Sequence, residues 1–413
     1  MRTLSTSGTT WQQLCARQLT RRRAVEERVQ KILDDVRTSG DEALIRYTRR
    51  FDKVKLTPKQ LRVTEAETSG AFQHIDPDLV LHLKTAIQNV QAFYGKPRLK
   101  PVRIVAEDGV TLAEKFTPLD CVGVYIPGGT ASLVSTVYMT VVPARQAGVK
   151  RIILATPPRK DGSMDPNILV VASLLHVDEI YKIGGAQAIG AMAFGTKTIP
   201  KVDKIAGPGN AYVAEAKRQV FGVVDVDTIA GPSEIAIIAN RHSNPQFVLT
   251  DLLAETEHAG GICFLITTSK ALARLARKQI PSGYCVLVKN LDEAVEVANQ
   301  LAPEHLQIMV KSPKKLVARI RHAGAIFVGP YSPVTIGDYI AGPSHVLPTG
   351  GSARMFSGLG VDDFIRRTHI ISYSRGALEK VREPVQRLTA LEGLPRHFDS
   401  VKVRLSSRGE SIT

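Results

Sequence analysis

The chain of 413 residues lacks any apolar run near the roughly 18 residues a membrane-spanning helix needs; stretches such as 167–175 stop well short. A helical membrane protein is therefore excluded. Cysteine is scarce: Cys15, Cys121, Cys263 and Cys285 lie far apart and form no CxxC pair. Neither a disulfide framework nor a thiolate zinc cage is indicated, and a reducing cytoplasm is the expected compartment. No internal repeat or low-complexity tract stands out, and no GxGxxG occurs, so a standard Rossmann dinucleotide site has no support. The first 23 residues have no apolar signal core; they are Arg- and Ser-rich with no acid before Glu26, as in some organellar transit peptides. Acids are few beside bases, 39 against 54, for a net charge of +15. The bases are spread along the chain without an aromatic-interleaved block, which argues against nucleic acid and leaves attraction of anionic cofactors as one use of the charge.

What is present is a globular composition, 44% apolar and 23% charged, with enough length for two or three domains. Residues 25–39, 41–51 and 77–94 carry apolar positions at helical spacing. Residues 102–116 are β-prone. From Cys121 onward, short β-rich runs end in glycine or proline turns and lead into helices: VGVYI then PGG, IILAT then PP, EIYKI then GG, DKIA then GPGN. A second alternation follows Ser233, with strands IAIIA, ICFLIT, YCVLV, LQIMV and AIFVG separated by helical stretches, one of them over 245–258. Two parallel-sheet α/β lobes are expected. The tail reads as helix over 377–391 and strand over 401–405, too little to bury a core alone, so it docks on the body or on another subunit.

Three junctions bring glycine to a strand end before a helix: Pro127-Gly128-Gly129, Gly184-Gly185-Ala186-Gln187 and Gly207-Pro208-Gly209-Asn210. Backbone N–H groups at such places can approach a pyrophosphate, although each alone is equally a tight turn. Among ten histidines, His74, His82, His176, His242, His322 and His369 read as fillers. In Glu255-Thr256-Glu257-His258 the i, i+3 spacing puts Glu255 and His258 on one helix face, a metal-compatible pair or an exposed helix end. Glu304-His305 sits between a helix and a strand, where acid and imidazole can both face a cleft. Asp338 and His345 occupy a Gly/Pro-rich loop as ligands or turn formers. Glu392 and His397 lie in the tail, with Gly393 and Pro395 implying a loop. Residue types alone thus allow a two-lobed α/β enzyme with an imidazole and carboxylate metal site, favouring zinc over magnesium.

Taken together, YIPGG (125–129), GGAQAI (184–189), KVDKIAGPGNAYVAEAKR (201–218), AGPSE (230–234), PEHL (303–306), GDY (337–339) and HVLPT (345–349) closely resemble histidinol dehydrogenase. The likeness runs from the Trp11 region to His397. It implies a zinc-dependent, NAD-linked enzyme that takes L-histidinol to L-histidine through the bound aldehyde with two hydride transfers. It also implies a cytoplasmic, domain-intertwined homodimer with two incomplete Rossmann-like lobes. By motif, the zinc ligands fall at Glu255, His258, Asp338 and His397, the last supplied by the other subunit. Glu304 and His305 match the acid/base pair; Tyr125, Gln187 and Asn210 match NAD contacts. Ser233, His345 and Glu392 match substrate contacts, joined by the ligands and His305, with Glu392 also crossing between subunits.

The expected division is an N-terminal arm (1–24), a helical stretch (25–117) joined to an α/β lobe (233–365) with the zinc and acid/base residues, an NAD-binding lobe (118–232), and a tail (366–413) reaching the partner. The family usually carries Gln where this chain has Glu255; a carboxylate there lowers the Lewis acidity of zinc and is expected to shift the His305 pKa upward. Residues 268–284 are shorter than usual by about one helical hairpin. Competing readings are a zinc/NAD dehydrogenase of another polar alcohol and a catalytically silent binding protein.

Overall fold

The alternating runs form strands that are numbered here in chain order. They begin with β1 (Arg2–Thr3), β2 (Arg103–Val105), β3 (Val110–Pro118), β4 (Cys121–Tyr125), β5 (Arg151–Thr156), β6 (Glu179–Lys182) and β7 (Lys204–Ala206). They continue with β8 (Asp225–Val226), β9 (Glu234–Ala239), β10 (Ile262–Thr267), β11 (Tyr284–Leu287), β12 (His305–Met309), β13 (Ala325–Val328) and β14 (Ile365–Tyr373). The computed structural model describes residues 1–17, 23–96, 100–106, 108–128, 133–229, 231–258 and 260–406. Gly129 of the first glycine junction therefore lies outside the described residues. The chain divides into two units, Met1–Lys96 with Leu119–Phe364, and Pro97–Pro118 with Ile365–Thr413.

The first unit holds both α/β lobes. One sheet has the order β6-β5-β4-β7-β8 and the other β1-β11-β10-β9-β12-β13, with every pairing parallel. Counted within each lobe, both run 3-2-1-4-5, one strand short of the full Rossmann order. That is what two incomplete Rossmann-like lobes should look like. The second sheet gains β1 at its edge, where the N-terminal ammonium donates to the Ile280 carbonyl at 2.6 Å. Strands such as Glu234–Ala239 are buried end to end, as expected when helices cover both sheet faces.

The N-terminal helices pack differently from the expectation that joined them to residues 233–365. The helix Arg23–Phe51, interrupted at Gly40 with φ +50°, buries Val29, Ile32, Leu33 and Val36 in one cluster with Tyr125, Ile153 and Ala188. The helix Pro77–Tyr94, opened by Pro77 and capped by the Asp76 side chain, buries Ala86, Ile87 and Val90 with Val122, Val124 and Val137. Both apolar stripes thus complete the lobe of β4 to β8. The lobe of β9 to β13 is covered by its own crossover helices and by the arm, whose Trp11 is buried in its core and donates to Gln300 at 3.0 Å.

In the second unit β14, β3 and β2 make an antiparallel sheet. The helices Arg375–Lys380, Arg382–Leu391 and Pro395–Ser406 follow it. Residues 401–405 are therefore helical, not a strand, and His397 lies on a helix, not in a loop. Pro395 sits in a first turn, where its missing N–H costs nothing, and the helix propagates through the alternating Val401, Val403 and Leu405.

Candidate active site

At the amino edge of the second sheet, the residues that begin β9 and β12 stand side by side. Glu234 donates its backbone N–H to Glu304 Oε2 at 3.0 Å, and Glu304 N–H returns a bond to Glu234 Oε1 at 3.3 Å. Arg17 grips the same Glu234 carboxylate with Nε at 2.8 Å and a second nitrogen at 2.6 Å. This bidentate pair keeps the Glu234 charge compensated inside the protein. Burial first, then the Glu234 and Glu255 charges, push Glu304 well above the usual carboxylate range.

His305 is buried, with Nδ1 3.2 Å from the Glu234 carbonyl. Because a carbonyl only accepts, Nδ1 carries the proton and Nε2 keeps its lone pair. Nε2 faces Asp338 Oδ1 at 3.8 Å, while Nδ1 lies 3.9 Å from carboxylate oxygens of both Glu255 and Glu304. Burial lowers the His305 pKa to about 3, and nearby His345 and His258 push the same way. Desolvation of the imidazolium thus sets the direction of the His305 shift in the metal-free site.

Glu255 ends the helix Pro245–Glu255 and is buried, with Oε1 lacking any hydrogen-bond partner. Burial, aided by Asp338 and Glu234, raises it to about 7, and burial alone raises Asp338 to about 6. The Ser233 hydroxyl acts to lower the pKa of both Glu255 and Glu304, which places that residue beside the two carboxylates. His258 lies past the helix end, exposed and in a turn, so the expectation of one helical face for Glu255 and His258 is corrected. Gly260 at φ +80° and Gly261, whose Cβ would sit 2.4 Å from the Glu255 carbonyl, stop the helix. The turn nevertheless returns His258 to a cavity shared with Asp251, Glu255, Glu257 and Asp338.

His345 stands where the two lobes meet. Nδ1 is 2.8 Å from the Asp338 carbonyl and Nε2 is 3.2 Å from the Thr136 hydroxyl, at the start of a helix of the first lobe. Both ring nitrogens are thereby engaged, and burial lowers its pKa to about 4.

At the carboxyl edge of the first sheet lie the other three expected contacts. Tyr125 is buried and its hydroxyl accepts the Gly185 N–H at 3.0 Å. Gln187, in the first turn of Gly185–Phe194, is buried with Oε1 unpartnered. Asn210 caps the helix Ala211–Val220 through Oδ1, which accepts from Tyr212 at 3.0 Å and Val213 at 3.2 Å, leaving its amide N–H groups at an exposed position. Gly128 and Gly184 pack on Pro157 so closely that Cβ atoms there would come within 2.1 and 2.6 Å of it. Backbone at this edge is bare of side chains, as close approach of a pyrophosphate requires.

Glu392 and His397 belong to the second unit. Among the described residues, no three His, Cys, Asp or Glu side chains converge as a preformed metal cage. The pocket still fits a divalent cation chemically: an orphaned buried carboxylate oxygen on Glu255 and a desolvated Asp338 both gain from positive charge. The unpartnered Gln187 amide and the bare glycine edge likewise suit a dinucleotide. Arg17 and Thr136 lie outside the sequence motifs, and Glu234, although the last residue of AGPSE, carries no role that the motif alone signals. Arg17 and Glu234 are 217 positions apart, so nothing local signals their pairing.

A sequence model described as histidinol dehydrogenase matches residues 15–284 and 273–405, two stretches that overlap over 273–284. The chain is 45% identical over 401 residues to a histidinol dehydrogenase of Bacillus cereus, covering 92% of each. It is 46% identical over 397 residues to one of Clostridium acetobutylicum, covering 91% of each. The crystal structure of histidinol dehydrogenase from Elizabethkingia anophelis superposes with a TM-score of 0.91 at 34% identity, covering 98% of both chains. By sequence and by fold, this chain belongs to the histidinol dehydrogenase family of oxidoreductases in histidine biosynthesis.

Proposed function

We propose that the chain oxidises L-histidinol to L-histidine through the bound aldehyde, using NAD and zinc, as a homodimer in the cytoplasm. The observation that carries this reading is the buried Glu304-His305 pair, held by Glu234 within a pocket of carboxylates, with His345 of the same lobe bonding Thr136 of the first lobe. Glu255, His258 and Asp338, with His397 of the partner subunit, would hold the metal; Tyr125, Gln187 and Asn210 would contact the dinucleotide. When bound, zinc orients the imidazole and amine of the substrate, and NAD accepts hydride twice.

The protein supplies the proton chemistry. His305, neutral and with Nε2 free, takes the alcohol proton in the first oxidation. Glu304 then deprotonates the water that adds to the aldehyde carbon, giving the hydrate for the second oxidation. Its raised pKa makes it a stronger base once ionised, and a cation in the pocket favours that ionisation. Ser233, beside both carboxylates, favours their ionised forms. Glu392 of the partner subunit would face the cationic amine of the substrate.

Support for the dimer comes from the second unit taken by itself. Val102, Ile104, Leu112, Ile370 and Ile371 line an apolar cavity of about 320 Å³ on its sheet, and Ile371 is 71% exposed. The helices Arg382–Leu391 and Pro395–Ser406 bury no residue in one chain. Such surface calls for a covering partner. No helix among the described residues is long and apolar enough to cross a membrane.

The decisive experiment counts NADH formed per histidinol consumed, on zinc-loaded and chelator-stripped protein. Two NADH per substrate, lost on stripping and restored by zinc, are expected. Tight zinc with no turnover of histidinol would reject the assignment.

Glu255 gives a second expected result. In metal-free protein its pKa rises from the ordinary 4.5 to about 7. The unfolded group ionises first as pH rises, so the folded state binds more protons between those values and loses stability through that window. The loss above pH 7 is about 3 kcal/mol at 1.36 kcal/mol per unit. Glu255→Gln should therefore raise the Tm of metal-free protein near pH 8 and change it little near pH 4. A Tm difference that stays constant with pH would contradict this origin.

A further inference from the structure

Gly207 closes the third glycine turn in a conformation that side chains rarely adopt, with φ +118°, and a Cβ there would lie 2.1 Å from the Tyr125 carbonyl oxygen. Having no side chain, it can be oriented only through its own peptide groups. Both are taken by one buried ion pair. Asp227, directly after β8, accepts the Gly207 N–H on Oδ2 at 2.7 Å. Lys217, on the helix Ala211–Val220, donates to the Gly207 carbonyl at 2.6 Å. The two side chains bond each other, and their exposures are only 2% and 1%.

The remaining contacts leave neither group free for another task. Lys217 Nζ reaches the Thr228 carbonyl at 3.4 Å, which makes three acceptors for three protons, and Asp227 Oδ1 also takes the Thr228 N–H at 2.7 Å. A buried ion pair seldom stabilises a fold more than apolar residues of the same volume would. Its distinctive product here is geometric: it ties the helix and the end of β8 to the two peptide groups that flank Gly207 in the turn after β7. Asn210, three residues on, caps the same helix.

We infer that Lys217 and Asp227 are positioning residues for dinucleotide binding, holding the 207–210 backbone and the Asn210 amide in the binding geometry before the cofactor arrives. The inference rests on the reading of this turn as an NAD contact. Preorganisation of this kind shows in cofactor affinity rather than in the affinity for metal, whose expected ligands lie on the other lobe and in the tail.

The test is a Lys217→Met/Asp227→Asn double variant, which removes both charges while Asn can still accept the Gly207 N–H. NAD and Zn²⁺ affinities are measured separately by calorimetry, and amide exchange of Gly207, Gly209 and Asn210 is followed without ligands. The expected result is an NAD Kd raised at least tenfold, a Zn²⁺ Kd changed less than twofold, and exchange at the three amides at least tenfold faster. Unchanged NAD affinity beside a wild type that binds NAD would overturn the proposal, as would equal weakening of NAD and Zn²⁺. A wild type that binds no NAD would instead defeat the cofactor reading of the turn, and the exchange rates would still decide whether the pair holds it. Should the double variant fail to fold, Asp227→Asn alone, isosteric with the native side chain, is judged by the same measurements.

Discussion

A His305→Asn variant is expected to lose about a thousandfold in kcat while its affinities for NAD and zinc stay near those of the wild type. General acid–base groups contribute roughly 10²- to 10⁴-fold, which sets the scale. Asparagine reproduces the donor at the Nδ1 position, so the bond to the Glu234 carbonyl at 3.2 Å can persist. What disappears is Nε2, the ring nitrogen left as an acceptor beside Asp338. Burial holds the His305 pKa down at about 3, so the wild-type imidazole is neutral near pH 7, with the Nε2 lone pair open to a proton. Glu304→Gln should fail later: the first NADH forms, the second does not, and bound or released aldehyde accumulates. More than a tenth of wild-type kcat in His305→Asn, or two NADH per histidinol in Glu304→Gln, would remove these residues from their roles.

Much of the architecture was legible because the two sheets are buried and their strands are short apolar runs closed by glycine or proline. Even the three-residue β7 was marked by the GPGN turn that follows it. Errors arose where context overrides pattern. Val401, Val403 and Leu405 alternate as a strand would, yet the helix that starts at Pro395 propagates through them and leaves Val403 63% exposed. The helix expected over 245–258 stops at Glu255, three residues short, ahead of the Gly260-Gly261 pair that marks a helix end. The site was legible as motifs but not as a network. Thr136 and His345 meet across 209 positions, and the Arg17 bond to Glu234 spans still more, so only the fold reveals that His345 bridges the lobes. Glu255 could be read as a departure from the family pattern; that one of its oxygens is buried without a partner required the surrounding packing.

The proposed sharing of a site between subunits makes the second large prediction, because it would turn two dead proteins into a live one. His397→Ala removes an expected zinc ligand, and its homodimer should be inactive, as should that of His305→Asn. In a heterodimer of the two, one site joins the intact body of one chain to the intact tail of the other, while the second site collects both lesions. Closed two-fold symmetry fixes that pairing. Co-expressed with different tags and purified through both, the heterodimer should show about half of wild-type kcat per dimer, and a random equimolar mixture about a quarter. If each tail served its own body, both sites of the heterodimer would carry one lesion and no activity would return. The exposed apolar sheet of the second unit, with Ile370 and Ile371 uncovered in one chain, is the physical reason to expect the crossed arrangement. A dimer that stays inactive on mixing, yet binds zinc in His305→Asn alone, would place His397 within its own subunit's site.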